Sequence, residues 1–335
     1  MRAAIFVGAG NPLSIEDIPV PHPQAGQALI RVDRCGICGS DLHMTSGSSF
    51  DVAHGTAMGH EYAGEVVEVG PGSWLRVGDR VTAMPLVGCG DCDACRADTP
   101  LHCAQLKSMA GGYGEYTLID DRYAMRLPDS LSFADGALVE PLASGLRGVR
   151  KLKLDKATRV AVIGAGAIGA SAMFWARQLG AGPIVAVTRS RRSEALAAAV
   201  GADGLVTIGE DMNERIASVL GGPPDVVIEG AGAQGALQQA ISLIRPNGQI
   251  LSLGGCIVPD TILPVLAMWK EPLVHFSVAY GVGDFRFALD TLEKGAVEPR
   301  AMVGETIALS ELPAKFEAMR TTSHAAKVMV DPQAT

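Results

Sequence analysis

The sequence predicts an α/β protein with two domains, one rich in β-strands and one built on a doubly wound parallel sheet. The chain of 335 residues is long enough to bury two hydrophobic cores of ordinary size. Residues 3–139 read as short apolar runs separated by Gly, Pro and Asp, which is typical of strands. After Pro141 strand-like and helix-like patterns alternate, which is typical of βα units.

The β-rich domain is predicted from apolar runs that lie between turn residues. Residues 306–330 also contain a helical pattern followed by a closing strand, and we expect this piece to rejoin the first domain. The expected strands are residues 28–32, 63–69, 79–83 and 326–330, and the expected helix is 311–320.

The parallel sheet is predicted from repeated βα units, because strands joined through helices run parallel. The expected strands are residues 159–164, 183–188, 205–208, 225–229 and 249–253, and the expected helices are 169–179, 194–200, 212–220 and 235–244. We expect this domain to comprise residues 145–286, and the β-rich domain to comprise residues 1–144 and 287–335.

Composition and charge exclude several classes of protein. Hydrophobic residues make up 48% of the chain and charged residues 19%, which excludes a disordered or fibrous protein. The net charge of -8 argues against nucleic-acid binding, which needs a basic surface. The N-terminal apolar run is too short for a signal peptide, and the run at 160–175 is broken by glycines. We therefore expect a cytoplasmic protein with small-molecule partners and no membrane contact.

A glycine motif follows the first strand of the parallel sheet. Gly164, Gly166 and Gly169 match G-x-G-x-x-G between an apolar strand and a helix. Backbone N–H groups and the positive end of the helix can bind a pyrophosphate there. The alternative is a glycine turn that only packs a helix onto a sheet. The βα units on both sides favour a dinucleotide site.

The end of the next strand predicts which dinucleotide binds. An Asp or Glu usually stands there in NAD-binding proteins, whereas this chain has Thr188 followed by Arg189, Arg191 and Arg192. Guanidinium groups can bind the 2′-phosphate of NADP, and no carboxylate at the strand end repels it. NADP is therefore favoured over NAD. The alternative is that the arginines form a solvated surface.

Four cysteines predict a structural zinc site. They stand in a loop rich in Gly, Asp and Pro with the spacing C-x2-C-x2-C-x7-C, and four thiolates fill every position of a tetrahedral zinc ion. Chance clustering or disulfides are the alternatives, and the absence of an export signal argues against disulfides. The predicted ligands are Cys89, Cys92, Cys95 and Cys103.

Cys38 and the pair His60 and Glu61 form a second candidate metal site. A thiolate, an imidazole and a carboxylate give three ligands and leave the fourth position of zinc open, as a catalytic site requires. A lone histidine is more often part of a core. The presence of a cofactor motif in the same chain favours the catalytic interpretation.

Several motifs in a fixed order resemble those of a known family. They are Cys35-Gly-Ile-Cys-Gly-Ser-Asp-Leu-His43, Gly59-His-Glu, Gly78-Asp-Arg-Val, the four cysteines, Gly114-Glu-Tyr, Glu140-Pro and the glycine motif. The chain resembles, over nearly its whole length, the zinc-containing medium-chain alcohol dehydrogenase family in its polyol (sorbitol) dehydrogenase-like branch. The resemblance implies a GroES-like catalytic domain, a Rossmann domain, an active site in the cleft between them, and a homodimer or homotetramer.

The resemblance implies Cys38 and His60 as ligands of the catalytic zinc. It leaves the carboxylate open, because polyol-type relatives can use the Glu after the His, here Glu61, or a later one, here Glu140. The two can also exchange on the metal during turnover.

Further residues acquire roles through the same resemblance. Ser40 corresponds to the proton-relay hydroxyl and His43 to the outer end of the relay. Asp41 is expected to bind the distal nitrogen of His60 and to fix its orientation. The alternative for Ser40 and Asp41 is ordinary turn chemistry.

The cofactor site is expected to extend beyond the glycine motif. The expected cofactor contacts are Ser144, Gly164, Gly166, Ala167, Ile168, Gly169, Thr188, Arg189, Arg192, Gly230 and Gly254.

Cys35 and Cys256 match no metal-ligand position and are expected to be buried apolar residues.

Together these features predict an enzyme that interconverts a secondary alcohol, polyol or sugar-type hydroxyl and its carbonyl by hydride transfer with NAD(P). A zinc-independent quinone or enoyl reductase of the same fold would not need Cys38 and His60. A non-enzymatic zinc module leaves the open second site unexplained. A nucleotide-binding protein without catalysis would bind cofactor but turn over no alcohol. The sequence does not identify the substrate.

Overall fold

The computed structural model describes residues 1–47, 52–321 and 326–334. Its strands are β1 (Arg2–Phe6), β2 (Ser14–Asp17), β3 (Gln27–Gly36), β4 (Thr56–Ala57), β5 (Glu61–Val69), β6 (Arg80–Ala83), β7 (Leu86–Val87), β8 (Lys107–Ser108), β9 (Tyr116–Asp120), β10 (Ala124–Arg126), β11 (Val160–Ile163), β12 (Ile184–Thr188), β13 (Gly204–Thr207), β14 (Val226–Glu229), β15 (Gln249–Ser252), β16 (Leu273–Phe276), β17 (Val303–Ala308) and β18 (Lys327–Asp331). Its α-helices are α1 (Gly39–Met44), α2 (Asp93–Arg96), α3 (Phe133–Val149), α4 (Ala167–Gln178), α5 (Glu194–Ala199), α6 (Met212–Leu220), α7 (Ala236–Leu243), α8 (Pro264–Lys270), α9 (Val282–Glu293) and α10 (Leu312–Thr321).

Residue contacts group the chain into two compact units. The first unit comprises Met1–Glu140, Tyr280–Ala296 and Val303–Thr335, and the second comprises Pro141–Ala279 and Val297–Met302. The domain bounds expected near residues 144 and 287 stay predictions.

The first unit is built on a mainly antiparallel sheet in the order β10-β6-β5-β3-β18-β17, with β9 also paired to β3. Ala28, Ile30 and Val32 on one face of β3 enter the core, and Leu29 on the other face is buried as well. β18 pairs with β3 on one side and β17 on the other, so a segment distant in sequence completes the sheet. Smaller sheets are formed by β2-β1-β4 and by β7-β8.

The second unit contains a parallel sheet in the order β13-β12-β11-β14-β15-β16. Its inner strands are apolar on both faces, as strands covered by helices must be, and β11 is buried throughout. The strand order reverses between β11 and β14, which is where doubly wound sheets bind ligands at the carboxyl ends of their strands. The predicted α/β class and the alternation of β11 to β15 with α4 to α7 are confirmed.

β16, α3, α8 and α9 are among the elements that the sequence did not predict. Within the described residues, no helix is long and apolar enough to cross a membrane.

Candidate active site and metal centres

The four cysteines predicted to hold a structural zinc lie together in the first unit. Their Sγ atoms are all within 4.8 Å of one another, with Cys92 to Cys95 at 3.5 Å and Cys89 to Cys95 at 4.0 Å. Sulfur ligands about 2.3 Å from a tetrahedral zinc ion are about 3.8 Å apart, so these residues fit the metal. All four are free thiols, which excludes disulfides among them.

Backbone donors around these sulfurs favour the thiolate form. The Cys92 N–H donates to Cys89 Sγ at 3.4 Å. The Cys89 and Gln105 N–H groups each donate to Cys103 Sγ at 3.3 Å. Backbone hydrogen bonds from Asp91 and Cys92 lower the pKa of Cys89 to about 6. The thiolate is the species that binds zinc, so Cys89 is prepared for the metal. At Cys95 a backbone hydrogen bond from Gly90 is outweighed by burial and by the three neighbouring cysteines, which raise its pKa to about 11.

The second candidate set comes together where β3 ends, α1 begins and β5 starts. The ligand atoms of Cys38, His60 and Glu61 lie within 4.8 Å of one another. Cys38 is the residue before α1, and Glu61 faces Gly36 across the β3–β5 ladder. A side chain at Gly36 would lie 2.1 Å from a Glu61 carboxylate oxygen, so glycine leaves the room that the carboxylate occupies.

Asp41 orients the imidazole of His60, as expected. The His60 Nδ1 atom lies 3.0 Å from Asp41 Oδ1, which leaves Nε2 to face Cys38. The Tyr113 hydroxyl and the Cys38 N–H both donate to Asp41 Oδ2, at 2.5 and 3.2 Å. Burial raises the pKa of Asp41, but the charge and hydrogen bond of His60 outweigh it and lower the pKa. A carboxylate held in this way is the usual partner of a metal-binding histidine.

Glu61 is paired with a residue that the sequence analysis missed. The Lys327 ammonium group donates to both Glu61 oxygens, at 2.7 and 2.6 Å, and to the Ile37 carbonyl at 3.2 Å. Both charged side chains are only 1% exposed. Burial lowers the pKa of Lys327, but the Glu61 charge outweighs it and raises the pKa. The only signal in the sequence was a lysine at the start of an apolar strand.

Glu140 lies apart from this set, in α3. Among the described residues, the ligand atoms within 4.8 Å of one another include those of Glu61 but not Glu140. Burial raises the pKa of Glu140 to about 7, although the His60 charge opposes the shift. Tyr280 neighbours it, and burial followed by the Glu140 charge raises the pKa of Tyr280 well above its usual value. A carboxyl group of this kind can carry or release a proton near neutral pH.

The predicted relay residues occupy one face of α1. Ser40 Oγ donates to Cys38 Sγ at 3.1 Å and lies 3.5 Å from His60 Nε2. His43 follows Ser40 by three residues on the helix, which is the spacing of neighbours on one face. It is partly buried, and burial lowers the pKa of His43, so its imidazole is neutral at pH 7.

The glycine motif of the second unit is shaped for close backbone approach. Gly164 has φ of +86°, and a side chain there would lie 2.9 Å from the backbone of Ala231. A side chain at Gly169 would lie 2.0 Å from the Gly164 carbonyl oxygen, so this glycine lets α4 pack on the turn. A Cβ atom at Gly166, which precedes α4, would have no neighbour within 4 Å among the described residues. Ala167 and Ile168 begin α4.

The remaining predicted cofactor residues lie on three elements of the second unit. Gly230 follows β14, and a side chain there would lie 3.2 Å from Gly169 Cα. Gly254 stands two residues after β15, and a side chain there would lie 2.1 Å from the Gly232 nitrogen. Ser144 lies in α3. Close packing is thus sufficient to explain the glycines at Gly230 and Gly254. Contacts of these residues and of Ser144 with the cofactor stay predictions.

The three arginines after β12 differ in whether their guanidinium groups are already bound to a carboxylate. The Thr188 hydroxyl donates to the Ser190 carbonyl at 2.7 Å. Arg191 is bound to the Glu194 carboxylate, with its Nε at 2.9 Å from one oxygen. Arg189 and Arg192 are exposed, and within the described ranges neither has an ion-pair partner. These two are the guanidinium groups free to bind a phosphate.

The two cysteines without a ligand role differ in burial. Cys35 is fully buried, as expected. Cys256 is only partly buried, contrary to the expectation, because it stands in the loop after β15. Its thiol donates to the Val258 carbonyl at 3.4 Å.

Comparisons with known proteins match families in both halves of the chain. Residues 24–129 match the family described as alcohol dehydrogenase GroES-like domain, and residues 167–294 match the family described as zinc-binding dehydrogenase. The sorbitol dehydrogenase of Bacillus subtilis (strain 168) is 30% identical, over 99% of this chain and 97% of its own length. The (R,R)-butanediol dehydrogenase of the same strain is 33% identical, over 96% of each chain.

A solved structure resembles the whole chain. It is a Sinorhizobium meliloti 1021 protein described as a zinc-binding dehydrogenase and solved with NADP bound. It is 32% identical, superposes with a TM-score of 0.90, and is matched over 99% of each chain.

Proposed function

This chain belongs to the zinc-containing medium-chain alcohol dehydrogenase family, in its polyol dehydrogenase-like branch, and from that premise we propose the chemistry of its site. Cys38, His60 and a carboxylate hold a catalytic zinc ion, and Cys89, Cys92, Cys95 and Cys103 hold a structural one. The observation that carries the proposal is the convergence of the Cys38, His60 and Glu61 ligand atoms within 4.8 Å. When bound, zinc supplies Lewis-acid polarisation of the substrate oxygen.

Two carboxylates are candidates for the third ligand. Glu61 lies in the ligand set, but both of its oxygens accept hydrogen bonds from Lys327. Glu140 has no such cation bound to it among the described contacts, and its pKa near 7 lets it ionise at working pH. Either carboxylate would therefore hold the metal, and Lys327 would bind Glu61 whenever Glu140 took that place.

Ser40 and His43 are proposed to carry the substrate proton. Ser40 Oγ lies beside both Cys38 Sγ and His60 Nε2, so a substrate hydroxyl at that position is within its reach. Ser40 accepts the proton as it passes its own onward, and His43, whose pKa is lowered by burial, accepts it at a ring nitrogen. In the reverse direction the same groups return the proton.

NADP is the proposed cofactor. Support comes from Arg189 and Arg192, which are exposed and, within the described ranges, without an ion-pair partner, and from Thr188 where an acid would bind the ribose of NAD. The S. meliloti relative was solved with NADP. A 2′-phosphate would gain charge-assisted hydrogen bonds from these guanidinium groups.

The proposed substrates are secondary alcohols, polyols and sugar-type hydroxyls, with the matching ketones in the reverse direction. Two relatives that span this chain are named for sorbitol and for (R,R)-butanediol, which both carry secondary hydroxyls. A panel of polyols, sugars, diols and primary alcohols, assayed with both cofactors, tests the class. Turnover of primary alcohols alone, or of none of the panel by metal-replete protein, would reject it.

A homodimer or homotetramer is the proposed assembly. β16 is an edge strand of the parallel sheet, and large apolar side chains around it are exposed, among them Met268, Trp269, Leu273 and Phe276. An exposed apolar edge strand is unfavourable in a monomer and is usually covered. A stable interface needs about 800 Å² from each partner, which several large side chains and a strand can supply.

A further inference from the structure

A remote carboxylate caps the N-terminus of α9. The residue before this helix is Gly281, which has no side chain to accept the first N–H groups. Asp98 takes that role, since one of its oxygens accepts from the Val282 N–H at 2.5 Å and the other from the Gly283 N–H at 3.0 Å. A side chain at Gly281 would lie 2.2 Å from Asp98, so the glycine makes room for this carboxylate.

Asp98 belongs to the four-cysteine loop, between Cys95 and Cys103. Its backbone has φ of 56°, a left-handed conformation that residues other than glycine seldom adopt. Its N–H donates to the Cys95 carbonyl at 3.1 Å. The next residue, Thr99, donates its N–H to the Ala94 carbonyl at 2.9 Å. The position of the Asp98 carboxylate is therefore set by the loop that holds the structural metal.

Tyr280 precedes the capped helix and is packed against it. Its ring lies 5.6 Å, between centroids, from the ring of Phe285 in the first turns of α9. A residue just before the cap that packs on the fourth helical residue fixes the angle at which the chain enters a helix. Because Tyr280 is buried, its hydroxyl has little freedom to move independently of α9.

The Tyr280 hydroxyl is close to Glu140, one of the proposed catalytic residues. It is buried, and within the described residues it makes no hydrogen bond of standard geometry. Burial, followed by the charge of the Glu140 carboxylate and a weak hydrogen bond with it, raises the pKa of Tyr280. A buried phenol that stays protonated, and whose contact with Glu140 falls short of a standard hydrogen bond, is a donor available to Glu140 or to a substrate oxygen.

We propose that Asp98 is a positioning residue that, through the cap of α9, holds the Tyr280 hydroxyl beside Glu140. The structural metal loop thereby sets the geometry of the active site as well as the stability of its own segment. The inference rests on the proposed function, because it takes Glu140 and Tyr280 as parts of the same active site.

The test combines Asp98→Ala, Asp98→Asn and Tyr280→Phe with cobalt substituted at the catalytic site. We expect Asp98→Ala to speed hydrogen exchange at the Val282 and Gly283 amides, to shift the visible spectrum of the bound cobalt, and to lower kcat by about ten- to a hundredfold with a smaller change in KM. Asp98→Asn keeps one acceptor oxygen and should give smaller changes in the same directions. Tyr280→Phe should reproduce the spectral shift and the kcat loss without faster exchange.

A double variant and a control separate this role from general destabilisation. Asp98→Ala combined with Tyr280→Phe should be no worse than the more affected single variant, because both act through one hydroxyl. Asp93→Ala removes an exposed carboxylate of the same loop, which pairs with exposed Arg96, and should match the wild type.

The outcomes distinguish the inference from the function on which it rests. Wild-type protein that takes up no cobalt at Cys38 and His60 would reject the proposed function. Normal wild-type cobalt binding, with faster amide exchange in Asp98→Ala or Asp98→Asn but an unchanged spectrum and unchanged kcat, would overturn the inference alone. Strictly additive effects of Asp98→Ala and Tyr280→Phe would also overturn it.

Discussion

Lys327 and Glu61 form an ion pair that water hardly reaches. Removing one partner of such a pair leaves the other as an uncompensated buried charge, whereas removing both leaves none. The stability of the first unit is therefore expected to fall more when one of the two charges is removed than when both are removed.

We expect Lys327→Met to destabilise the protein by about 3 to 5 kcal/mol. The double variant Lys327→Met with Glu61→Gln should recover part of that loss, because the glutamine is neutral. Urea unfolding of metal-replete protein measures both. Lys315→Met is the control, since Lys315 pairs with a half-exposed Glu305 and should cost no more than about 1 kcal/mol. A loss of stability in Lys327→Met as small as that in Lys315→Met would contradict the destabilisation expected from an unpaired buried charge.

Cys38→Ser should remove one of two zinc ions and abolish turnover while the fold is kept. The residue supplies the thiolate of the proposed catalytic site, and the four-cysteine loop is separate from it. Metal analysis together with circular dichroism measures the outcome. Wild-type protein that is fully active with one zinc ion or none would contradict the assignment.

Cofactor preference is expected to depend on Arg189 and Arg192. One charge-assisted contact contributes roughly 1.5 to 3 kcal/mol, so kcat/KM should favour NADP by about tenfold or more. Thr188→Asp with Arg189→Ala should reverse the preference, because a carboxylate binds the free ribose hydroxyls and repels the phosphate. Arg191→Ala is the control, since that guanidinium is already bound to Glu194. A wild-type preference for NAD would show that the arginines are only a solvated surface.

At the scale of elements, the four-cysteine loop and the parallel sheet are stabilised in different ways. The loop has two short strands, the single turn of α2, a 3-10 turn at Pro100–His102 and its proposed metal, so the metal would contribute directly to its folding. Cys95→Ala should therefore lower Tm strongly. Cys256→Ala, which removes a partly buried thiol outside any metal set among the described residues, should leave Tm nearly unchanged. Equal Tm values for the two variants, measured by calorimetry, would contradict the structural role of this zinc.

Hydrogen bonds to Asp225 stabilise the parallel sheet at the amino ends of its strands. Arg159 donates to its two oxygens at 2.8 and 3.0 Å, and Arg245 donates to one of them at 2.5 Å. The hydrogen bonds from Arg159, followed by those from Arg245, hold the pKa of Asp225 well below its usual range.

Because the native pKa of Asp225 is depressed, its contribution to stability is complete above the unfolded pKa of about 4 and is lost as the pH falls toward the native value. Asp225→Asn should thus lower the free energy of unfolding at pH 7 by about 1 to 2 kcal/mol, after allowance for partial solvent screening. The difference from wild type should shrink below about pH 4. Urea titrations at pH 7 and pH 3 measure it, and a difference that grows on acidification would contradict this sign.

At the scale of the whole molecule, residues in short motifs were predicted from the sequence, whereas residues that meet through contacts between distant segments were not. The cysteine loop, the glycine motif and the neighbouring Ser40 and Asp41 lie in short motifs, so the sequence was sufficient to find them. Tyr113, Tyr280 and Lys327 reach Asp41, Glu140 and Glu61 from far along the chain, and Asp98 of the four-cysteine loop reaches the distant α9. None of these four residues is a fixed position of a motif. α3 escaped prediction because Ala137, Leu138 and Val139 are all buried, which removes the contrast between a polar and an apolar face.

Assembly is also a property of the whole molecule. Trp269→Glu with Phe276→Glu should convert the proposed oligomer to monomers, because charges on an edge strand oppose pairing. Val77→Glu, which alters an exposed apolar side chain of the first unit, should leave the mass unchanged. Sedimentation equilibrium measures the mass. A wild-type monomer, or an oligomer that both sets of substitutions leave intact, would contradict the proposed interface.

The position of β18 between β3 and β17 has a consequence for synthesis on the ribosome. Every strand of the parallel sheet is translated before residue 277, so that sheet can form while the chain is still growing. The sheet that carries Cys38 and Glu61 instead waits for residues 303–331, and until then β3 has an open edge and Glu61 lacks its cation. The first unit can thus complete its sheet only late in synthesis, when the parallel sheet of the second unit can already have formed.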